Sequence, residues 1–324
     1  MNPREGRGMV AVLGLCAAIG VITVAATIAW GRGVFVPERT GAVTVSPVDA
    51  TEEYGKRLVS QTTEFLGPDV ADTKMRYTQS RLACASCHIG AGLEPGNLSL
   101  VAAFSRYPRI SPRSGGNETI QDRINGCMVR SMNGRSLAND SAEMIAMMAY
   151  LKFLGAQDAA TGAGQRKAHE SPAFKTPNRA ASPEAGQQVF EKRCAACHGK
   201  DGAGLPAAPE LVHGFVFPPL WGPNSFNDGA GMHRVLTAAK FIKAKMPLGR
   251  ADLDDDDAFD VAAFINSKPR PEMAGLDRDY PDRSKKPVDT SYGPYADMFA
   301  AEQHHFGPFP PIEAWYKKLQ KPSK

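Results

Sequence analysis

The sequence has little excess of charge of either sign. Its 38 lysine and arginine residues are nearly balanced by 34 aspartate and glutamate residues, so the formal net charge is only +4. It also lacks an arginine-rich stripe and a run of basic residues interleaved with aromatic ones. Because nucleic-acid binding relies on such concentrations of positive charge, we expect no nucleic acid partner.

Charge is absent altogether from Met9 to Trp30. At a rise of about 1.5 Å per residue, an apolar run of roughly 20 residues can cross a bilayer. The run is longer than most signal-peptide cores, and "ATIAW" at its end is a poor cleavage site. We therefore predict an uncleaved membrane helix over residues 1–30, with Arg4 and Arg7 on the cytoplasmic side. A cleaved signal peptide is the alternative, and both place the following residues on the periplasmic side.

Cysteine is scarce, with six residues in 324, and four of them fall in two copies of one motif. The copies are "CASCH" at 84–88 and "CAACH" at 194–198. In this motif two thiols bond to the vinyl groups of haem c and the histidine ligates iron. A thioredoxin-like dithiol or a zinc site would not explain a histidine directly after both pairs. We predict two covalently bound haem c groups. The predicted attachment residues are Cys84, Cys87, Cys194 and Cys197, and the predicted proximal iron ligands are His88 and His198.

Two segments of the chain follow the same order of helix, CxxCH, long loop region and final helix. The first covers residues 51–155 and ends with Gly155 as the expected stop of its last helix. The second covers residues 182–270, where Ser182 is the expected N-cap and Pro269 ends the last helix. This weak repeat predicts a mostly α fold with two class I cytochrome c-like domains in tandem.

Three segments outside these domains lack a sustained apolar period. Residues 31–50 are interpreted as a tether, residues 156–181 as a linker, and residues 271–324 as a C-terminal tail rich in proline and tyrosine. We expect the tail to wrap over the domains as extended chain. His304 and His305 within it are expected to be surface residues rather than iron ligands.

The two halves differ in the residue available at the sixth position of the iron. In the second domain, Met246 precedes Pro247 in the loop before the final helix, where small class I cytochromes c carry a distal methionine. A thioether ligand raises the potential of a haem and suits electron transfer. Core filler is the alternative for this methionine. The adjacent Lys245 is either a surface lysine or an amine that can exchange with Met246 at the iron.

The first domain lacks a methionine–proline pair. Met128, Met132 and Cys127 lie where its distal ligand is expected. A thiolate is a strong donor to iron and is nucleophilic toward sulfur compounds. A buried inert thiol and an intermolecular disulfide are the alternatives for Cys127. Nearby arginines suit either the haem carboxylates or an anionic substrate. They are Arg106, Arg109, Arg113, Arg123, Arg130 and Arg135.

Six stretches carry a family resemblance that covers residues 51–311. They are "CASCH", "RINGCMVRSMNGR", "CAACHG", "PLWGPNSFNDGAGMHR", "KMPLG" and "DRDYPDRSKKPVD". Together they resemble the dihaem thiosulfate dehydrogenases, also called tetrathionate synthases. The resemblance implies that Cys127 is the distal ligand of the first haem. It also implies that Met246 is the distal ligand of the second haem and that Lys245 can take its place.

The same resemblance implies a reaction and its catalytic residues. The family's active-site arginines fall on Arg113 and Arg123, and Ser131 is a weaker match beside Cys127. Two thiosulfate ions are expected to lose two electrons and couple to tetrathionate, with a small periplasmic cytochrome c as the electron acceptor. Cys127 is expected to form a sulfur adduct with one thiosulfate, which the second then attacks. The same site could run backward as a tetrathionate reductase.

Two other functions compete with this one. A membrane-anchored dihaem electron carrier, such as an oxidase subunit, would have no substrate of its own and is expected to use methionine at both distal positions. A dihaem peroxidase needs an open iron site, which cysteine ligation opposes. The predicted anchor departs from the soluble periplasmic members of the resembled family, and this departure affects diffusion rather than chemistry.

Overall fold

The computed structural model describes four ranges of the chain. The described ranges are 52–94, 96–161, 173–208 and 214–319. The predicted membrane helix over 1–30 and the predicted tether over 31–50 lie outside the described residues. Within the described ranges, every helix is too short or too polar to cross a lipid bilayer.

The described residues form ten α-helices, four short strands and several 3-10 turns. The helices are α1 (Glu52–Ser60), α2 (Thr62–Leu66), α3 (Ile120–Arg130), α4 (Ala142–Thr161), α5 (Pro183–Arg193), α6 (Ala195–His198), α7 (Val235–Lys245), α8 (Asp255–Asn266), α9 (Ala301–Phe306) and α10 (Pro310–Leu319). The strands form two antiparallel pairs, β1 (Arg109–Ile110) with β2 (Asn117–Glu118) and β3 (Leu205–Pro206) with β4 (Phe215–Phe217). This content confirms the predicted mostly α fold.

Each half of the chain is built on a crossing of its first and last helices. Helix α1 packs on α4, and α5 packs on α8. A glycine stands at each crossing: a Cβ on Gly55 would lie 2.0 Å from the Ala146 carbonyl oxygen, and one on Gly186 would lie 1.9 Å from that of Asp260. At both crossings the helices lie so close that the contact residue has no room for a side chain. The two halves therefore share one helix arrangement.

Local signals at the helix ends account for most of the predicted boundaries. Ser182 caps α5 by accepting a hydrogen bond from the Ala185 N–H, and Asp254 caps α8 in the same way. Helix α4 is the exception, because it continues through Gly155 to Thr161. The predicted stop at Gly155 is therefore wrong. A glycine inside a helix costs only about 1 kcal/mol, and alanine and glutamine, which follow it, favour the helix.

The C-terminal tail is extended only in its first part. Residues 271–300 contain short 3-10 turns, whereas α9 and α10 follow them. Phe309, Ile312 and Tyr316 of this last region are buried in the second-domain core. The prediction of an extended tail is therefore wrong for α9 and α10, whose apolar residues complete a core that begins more than a hundred residues earlier.

The prediction that His304 and His305 are surface residues is also wrong. His304 is fully buried; its Nδ1 lies 2.8 Å from the Val288 carbonyl oxygen and its Nε2 lies 3.0 Å from Asp297 Oδ1. The ring stacks on Tyr295 with centroids 3.7 Å apart. His305 is half-buried, and its Nε2 is shielded from solvent. Both histidines belong to the packed interior of the tail.

Replacing His304 by alanine should lower the free energy of unfolding by about 3 kcal/mol, because it removes the partner of a buried carboxylate. Urea denaturation followed by circular dichroism measures this loss. In a double-mutant cycle, Asp297→Ala should destabilise the His304→Ala variant much less than it destabilises the wild-type protein. Strict additivity of the two substitutions would contradict the pairing.

Candidate active site

A cavity of about 970 Å³ lies in the first half of the chain. Its wall carries the three functional residues of the first CxxCH motif together with Cys127. A cavity of this size suits a large organic ligand. The structure therefore brings Cys84, Cys87 and His88 of the first motif together with Cys127, which lies outside both motifs.

The motif cysteines are free thiols, and burial weakens the acidity of three of them. All five cysteines among the described residues are unpaired. Burial raises the pKa of Cys84 to about 11, that of Cys87 to about 12 and that of Cys194 to about 11. A catalytic dithiol needs the opposite shift, so the thioredoxin-like interpretation does not fit these sites. Among the described residues, no group of three or more histidine, cysteine, aspartate or glutamate side chains is arranged to hold a metal ion.

The two motif histidines share one hydrogen-bonding arrangement. His88 Nδ1 lies 2.7 Å from the Leu98 carbonyl oxygen, and His198 Nδ1 lies 2.8 Å from the Pro218 carbonyl oxygen. Because a carbonyl only accepts, Nδ1 carries the proton in both rings and Nε2 keeps its lone pair. Burial lowers the pKa of both histidines. Each ring is thus neutral, oriented and ready to ligate iron through Nε2.

Helix α3 presents three predicted catalytic residues to the first-domain cavity. Arg123, Cys127 and Ser131 are four residues apart, so they share one helix face, and all three line the cavity. The helix is fixed at its start by Thr119, whose hydroxyl accepts a hydrogen bond from the Asp122 N–H. Negative charge on Cys127 raises the pKa of Arg123. A charged guanidinium therefore lies beside Cys127, the one cysteine of the described residues that lies outside the two haem motifs.

Arg113 is placed apart from these three residues. Its Nη1 lies 2.9 Å from Asp279 Oδ2 and 3.2 Å from the Gly229 carbonyl oxygen. Arg130 reaches the other oxygen of Asp279 at 2.8 Å. Together they line a second cavity of about 500 Å³, while Arg113 is not among the residues lining the first. Its catalytic role stays a prediction.

The second CxxCH motif lies at the junction of α5 and α6. Cys194 ends α5 by donating its N–H to the Phe190 carbonyl, and His198 is the last residue of α6. Met246 ends α7 in the same manner and packs against the second-domain core. The distal role of Met246 stays a prediction.

Lys245 is not the surface lysine that one interpretation of the sequence offered. Its side chain is 8 % exposed, and its Nζ lies 3.6 Å from Glu94 Oε1. Glu94 follows the first haem motif in the chain, so this ion pair links the two halves of the molecule. The role of Lys245 as an iron ligand stays a prediction.

Two protein-family models match the chain. Residues 74–157 match the SoxA/TsdA cytochrome c domain. Residues 181–265 match the model described as cytochrome c oxidase, cbb3-type, subunit III. These matches confirm two cytochrome c domains in tandem.

Curated relatives decide the family. The chain is 42 % identical over 224 residues to a thiosulfate dehydrogenase of Allochromatium vinosum, an alignment that covers 67 % of this chain and 77 % of the relative. The chain belongs to the thiosulfate dehydrogenase family. A member from Psychrobacter arcticus is 40 % identical over 205 residues, covering 62 % of this chain and 60 % of that relative.

A solved structure supports the same family for this thiosulfate dehydrogenase. The structure of the thiosulfate dehydrogenase TsdBA from Marichromatium purpuratum is 31 % identical, with a TM-score of 0.61. The match covers 85 % of this chain and 54 % of that chain, so our chain spans about half the length of the solved one. Membership in this enzyme family sets aside the alternative of an electron carrier without a substrate.

This thiosulfate dehydrogenase binds haem c covalently, and its residues fit that group. The first cavity places two protonated thiols beside a histidine whose Nε2 is free, which is the donor set that haem c attachment requires. The second motif repeats the histidine arrangement. Two cytochrome c domains therefore correspond to two haem c groups.

Two wall residues of the first cavity come from the second domain. Phe226 and Met232 line it, although they follow the second haem motif in the chain. Their segment docks through Asn227, whose Nδ2 donates to the Val129 carbonyl at 2.8 Å. Sequence reasoning missed both residues. The stretch "PLWGPNSFNDGAGMHR" signalled the family, but only the docking of one domain on the other reveals what it contacts.

Proposed function

We propose that the protein oxidises two thiosulfate ions to tetrathionate in the first-domain cavity and passes two electrons through its two haems to a small periplasmic cytochrome c. One observation carries this proposal: Arg123 and Cys127 lie one helical turn apart on α3 and line the same cavity as His88. The cysteine offers a sulfur nucleophile, and the guanidinium can bind a sulfonate through two parallel hydrogen bonds. A simple electron carrier needs neither group.

The charges around the cavity suit an anionic substrate. Arg106, Arg109 and Arg123 line it, and no aspartate or glutamate does so among the described residues. Arg109 is partly neutralised by Glu118 at 3.0 Å, so Arg123 is the better candidate for direct contact. Two thiosulfate dianions repel each other strongly where water is excluded. The arginines reduce this repulsion and so allow both ions to approach Cys127.

The chemistry proposed for Cys127 balances in two steps. Its thiolate bonds to the terminal sulfur of one thiosulfate, and two electrons leave as the sulfur–sulfur bond forms. A second thiosulfate attacks that same sulfur, forms the central bond of tetrathionate and releases the cysteine thiolate. Haem c would supply one-electron chemistry, so two haem c groups would match the two electrons released. The Ser131 hydroxyl can donate a hydrogen bond to a sulfonate oxygen in the same cavity.

The proposed iron ligands follow from the same geometry. In the first domain, over residues 51–155, His88 and Cys127 share the cavity, and His88 would be the proximal and Cys127 the distal ligand of a bound haem c. In the second domain, over residues 182–270, Met246 is proposed as the distal ligand, with Lys245 as its replacement. A methionine ligand would favour electron uptake by the second haem, and this suits electron transfer from the first haem to the second.

The proposed location rests on the charge-free run from Met9 to Trp30. A helix formed by this run would hold the two cytochrome c domains at the periplasmic face of the inner membrane. Such an anchor would confine encounters with a soluble acceptor to the membrane surface. Fractionation of cells that produce the full chain tests this placement.

An assay of the purified holoprotein tests the proposed reaction. Thiosulfate and ferricyanide are supplied, and both acceptor bleaching and tetrathionate formation are followed. We expect one tetrathionate for every two ferricyanide ions reduced. A holoprotein with both haems that neither oxidises thiosulfate nor reduces tetrathionate would overturn the proposal.

Replacing Arg123 by glutamine should raise KM for thiosulfate by roughly 10- to 100-fold, the range expected for one charge-assisted hydrogen-bonding group. Arg123→Lys should recover only part of this loss, because an ammonium keeps the charge but loses the paired geometry. Initial rates over a range of thiosulfate concentrations measure both effects.

Arg135→Gln is the matched control for Arg123. Arg135 lies in the same sequence motif, but it stacks on Tyr77 with 3.7 Å to the ring centroid and does not line the cavity. Its loss should leave KM close to that of the wild type. Equal KM changes in the two glutamine variants would contradict a specific role for Arg123.

A further inference from the structure

A partly buried arginine, whose Nε is fully shielded from solvent, lies behind the wall that the second domain contributes to the first cavity. Arg270 follows α8, and its guanidinium carbon lies 4.3 Å from the ring centroid of Phe226. Its Nη2 donates to the Ile265 carbonyl at 2.8 Å, and its Nη1 makes a long contact of 3.5 Å with the Leu220 carbonyl. The guanidinium therefore sits between the second-domain core and a residue that faces the first haem cavity.

The positive charge of Arg270 has no bonded counter-ion among the described residues. Both hydrogen-bond partners are neutral carbonyls, and its Nε is buried without any partner. Asp228 is near enough to raise the pKa, but burial dominates and lowers the pKa of Arg270 to about 10. Asp228 instead accepts a hydrogen bond from the Met273 N–H at 2.7 Å. A buried charge without a partner is strongly unfavourable.

The histidines beside Arg270 do not supply the missing charge. His233 and His305 face each other with ring centroids 5.5 Å apart. Burial, together with the charge of Arg270, lowers the pKa of both to about 4. Both rings are therefore neutral at neutral pH, and Nε2 of His305 is buried without a partner. The cluster of Arg270, His233 and His305 thus carries one positive charge. Two of its nitrogen atoms, Nε of Arg270 and Nε2 of His305, are buried without a hydrogen-bond partner.

Two other partly buried arginines, unlike Arg270, have a carboxylate partner. Arg130 is paired with Asp279 at 2.8 Å, and Arg234 is paired with Asp289 at 2.7 Å. In both cases a carboxylate of the chain lies against the guanidinium. Arg270 departs from this pattern at the place where the two haem domains meet.

We infer that Arg270 binds a carboxylate of bound haem c and that this carboxylate supplies the counter-ion the chain lacks. Attachment through the CxxCH cysteines uses the vinyl groups of haem, so its two propionate carboxylates stay free to pair with a guanidinium. Arg270 lies in the second domain and contacts Phe226, which lines the first cavity, so the two haems are the two possible sources of this carboxylate and the experiment distinguishes them. The inference depends on haem c binding and not on the substrate proposed above.

Such a pair should influence the haem that provides the carboxylate. The guanidinium offsets the negative charge of the propionate, which otherwise disfavours adding an electron to the nearby iron. Removing the guanidinium should therefore lower the reduction potential of that haem. The change should appear even in the absence of substrate.

Arg270→Gln in the holoprotein tests the inference. Midpoint potentials of both haems are measured by spectroelectrochemical titration, and the propionate bending band is followed by resonance Raman spectroscopy. We expect a lowered potential and a shifted propionate band in one haem. The optical spectrum that changes at the shifted potential identifies whether the first or the second haem is the partner.

Two further variants make the result decisive. Arg179→Gln removes an arginine that already pairs with Asp256 and Asp260 of α8, and it should leave both potentials and the band unchanged. Arg270→Lys keeps the charge, so its potential should lie closer to that of the wild type while the propionate band still shifts. If Arg270→Gln does not retain both haems, the band in Arg270→Lys decides. Unchanged potentials and an unchanged band in a haem-replete Arg270→Gln protein would overturn the inference, as would an unchanged band in Arg270→Lys.

Discussion

Replacing Cys127 by glycine should abolish thiosulfate oxidation while both haems stay attached. Attachment depends on the cysteines of the two CxxCH motifs, so the haem content should not change. Turnover should fall by roughly 10³-fold or more, the scale on which removal of a catalytic nucleophile acts. Steady-state assays with ferricyanide measure the loss, and intact-protein mass spectrometry checks both haems.

Two variants separate sulfur chemistry from packing at this position. Cys127→Ser preserves the size of the side chain but lacks a thiolate, so it should be as inactive as Cys127→Gly. Gln121→Ala alters the same helix at a residue that does not line the cavity, and it should retain most of the turnover. A serine variant with near wild-type turnover would show that Cys127 does not carry the reaction.

Replacing Asp279 by alanine should lower the free energy of unfolding by about 3–5 kcal/mol, because it leaves buried positive charge without its partner. Arg113 and Arg130 each bond one oxygen of this carboxylate, and the Tyr292 hydroxyl donates to it at 2.7 Å. Both arginines also reach the Gly229 carbonyl. The carboxylate thus joins the tail to both haem domains. Urea denaturation of the holoprotein measures the loss.

Asp282→Ala provides the comparison for Asp279. It removes the same side chain from the same tail, but its partner Lys285 is exposed and only three residues away. Exposed pairs of this kind add little to stability, so this variant should unfold close to the wild-type midpoint. If the two alanine variants were equally stable, the Asp279 carboxylate would not be holding the domains together.

Short-range patterns explain why the sequence predicted the haem motifs. In CxxCH every functional atom lies within five residues, so spacing alone identifies the chemistry. The caps at Ser182 and Asp254 follow from the same kind of local rule. Arg123 and Ser131 were predicted from the family resemblance alone, and the structure adds that they line one cavity with Cys127.

Long-range contacts explain what the sequence could not predict. Phe226 and Met232 line a cavity that begins more than a hundred residues earlier, and Asp279 pairs with arginines at a similar separation. His304 was expected at the surface because its neighbours in the tail are polar and proline-rich. Its burial depends on the packing of α9 against other parts of the tail, which no local pattern records.

Two residues of the second domain line the cavity of the first, and this has an evolutionary consequence. Duplication of a cytochrome gene would first produce two self-sufficient modules that could be shuffled among proteins. Once Phe226 and Met232 of one copy close the haem cavity of the other, that freedom is lost. If recombination replaced the second half alone, residues of an unrelated domain would line the first cavity. We therefore expect the two halves to be inherited as one unit and substitutions at their junction to arise in matched pairs.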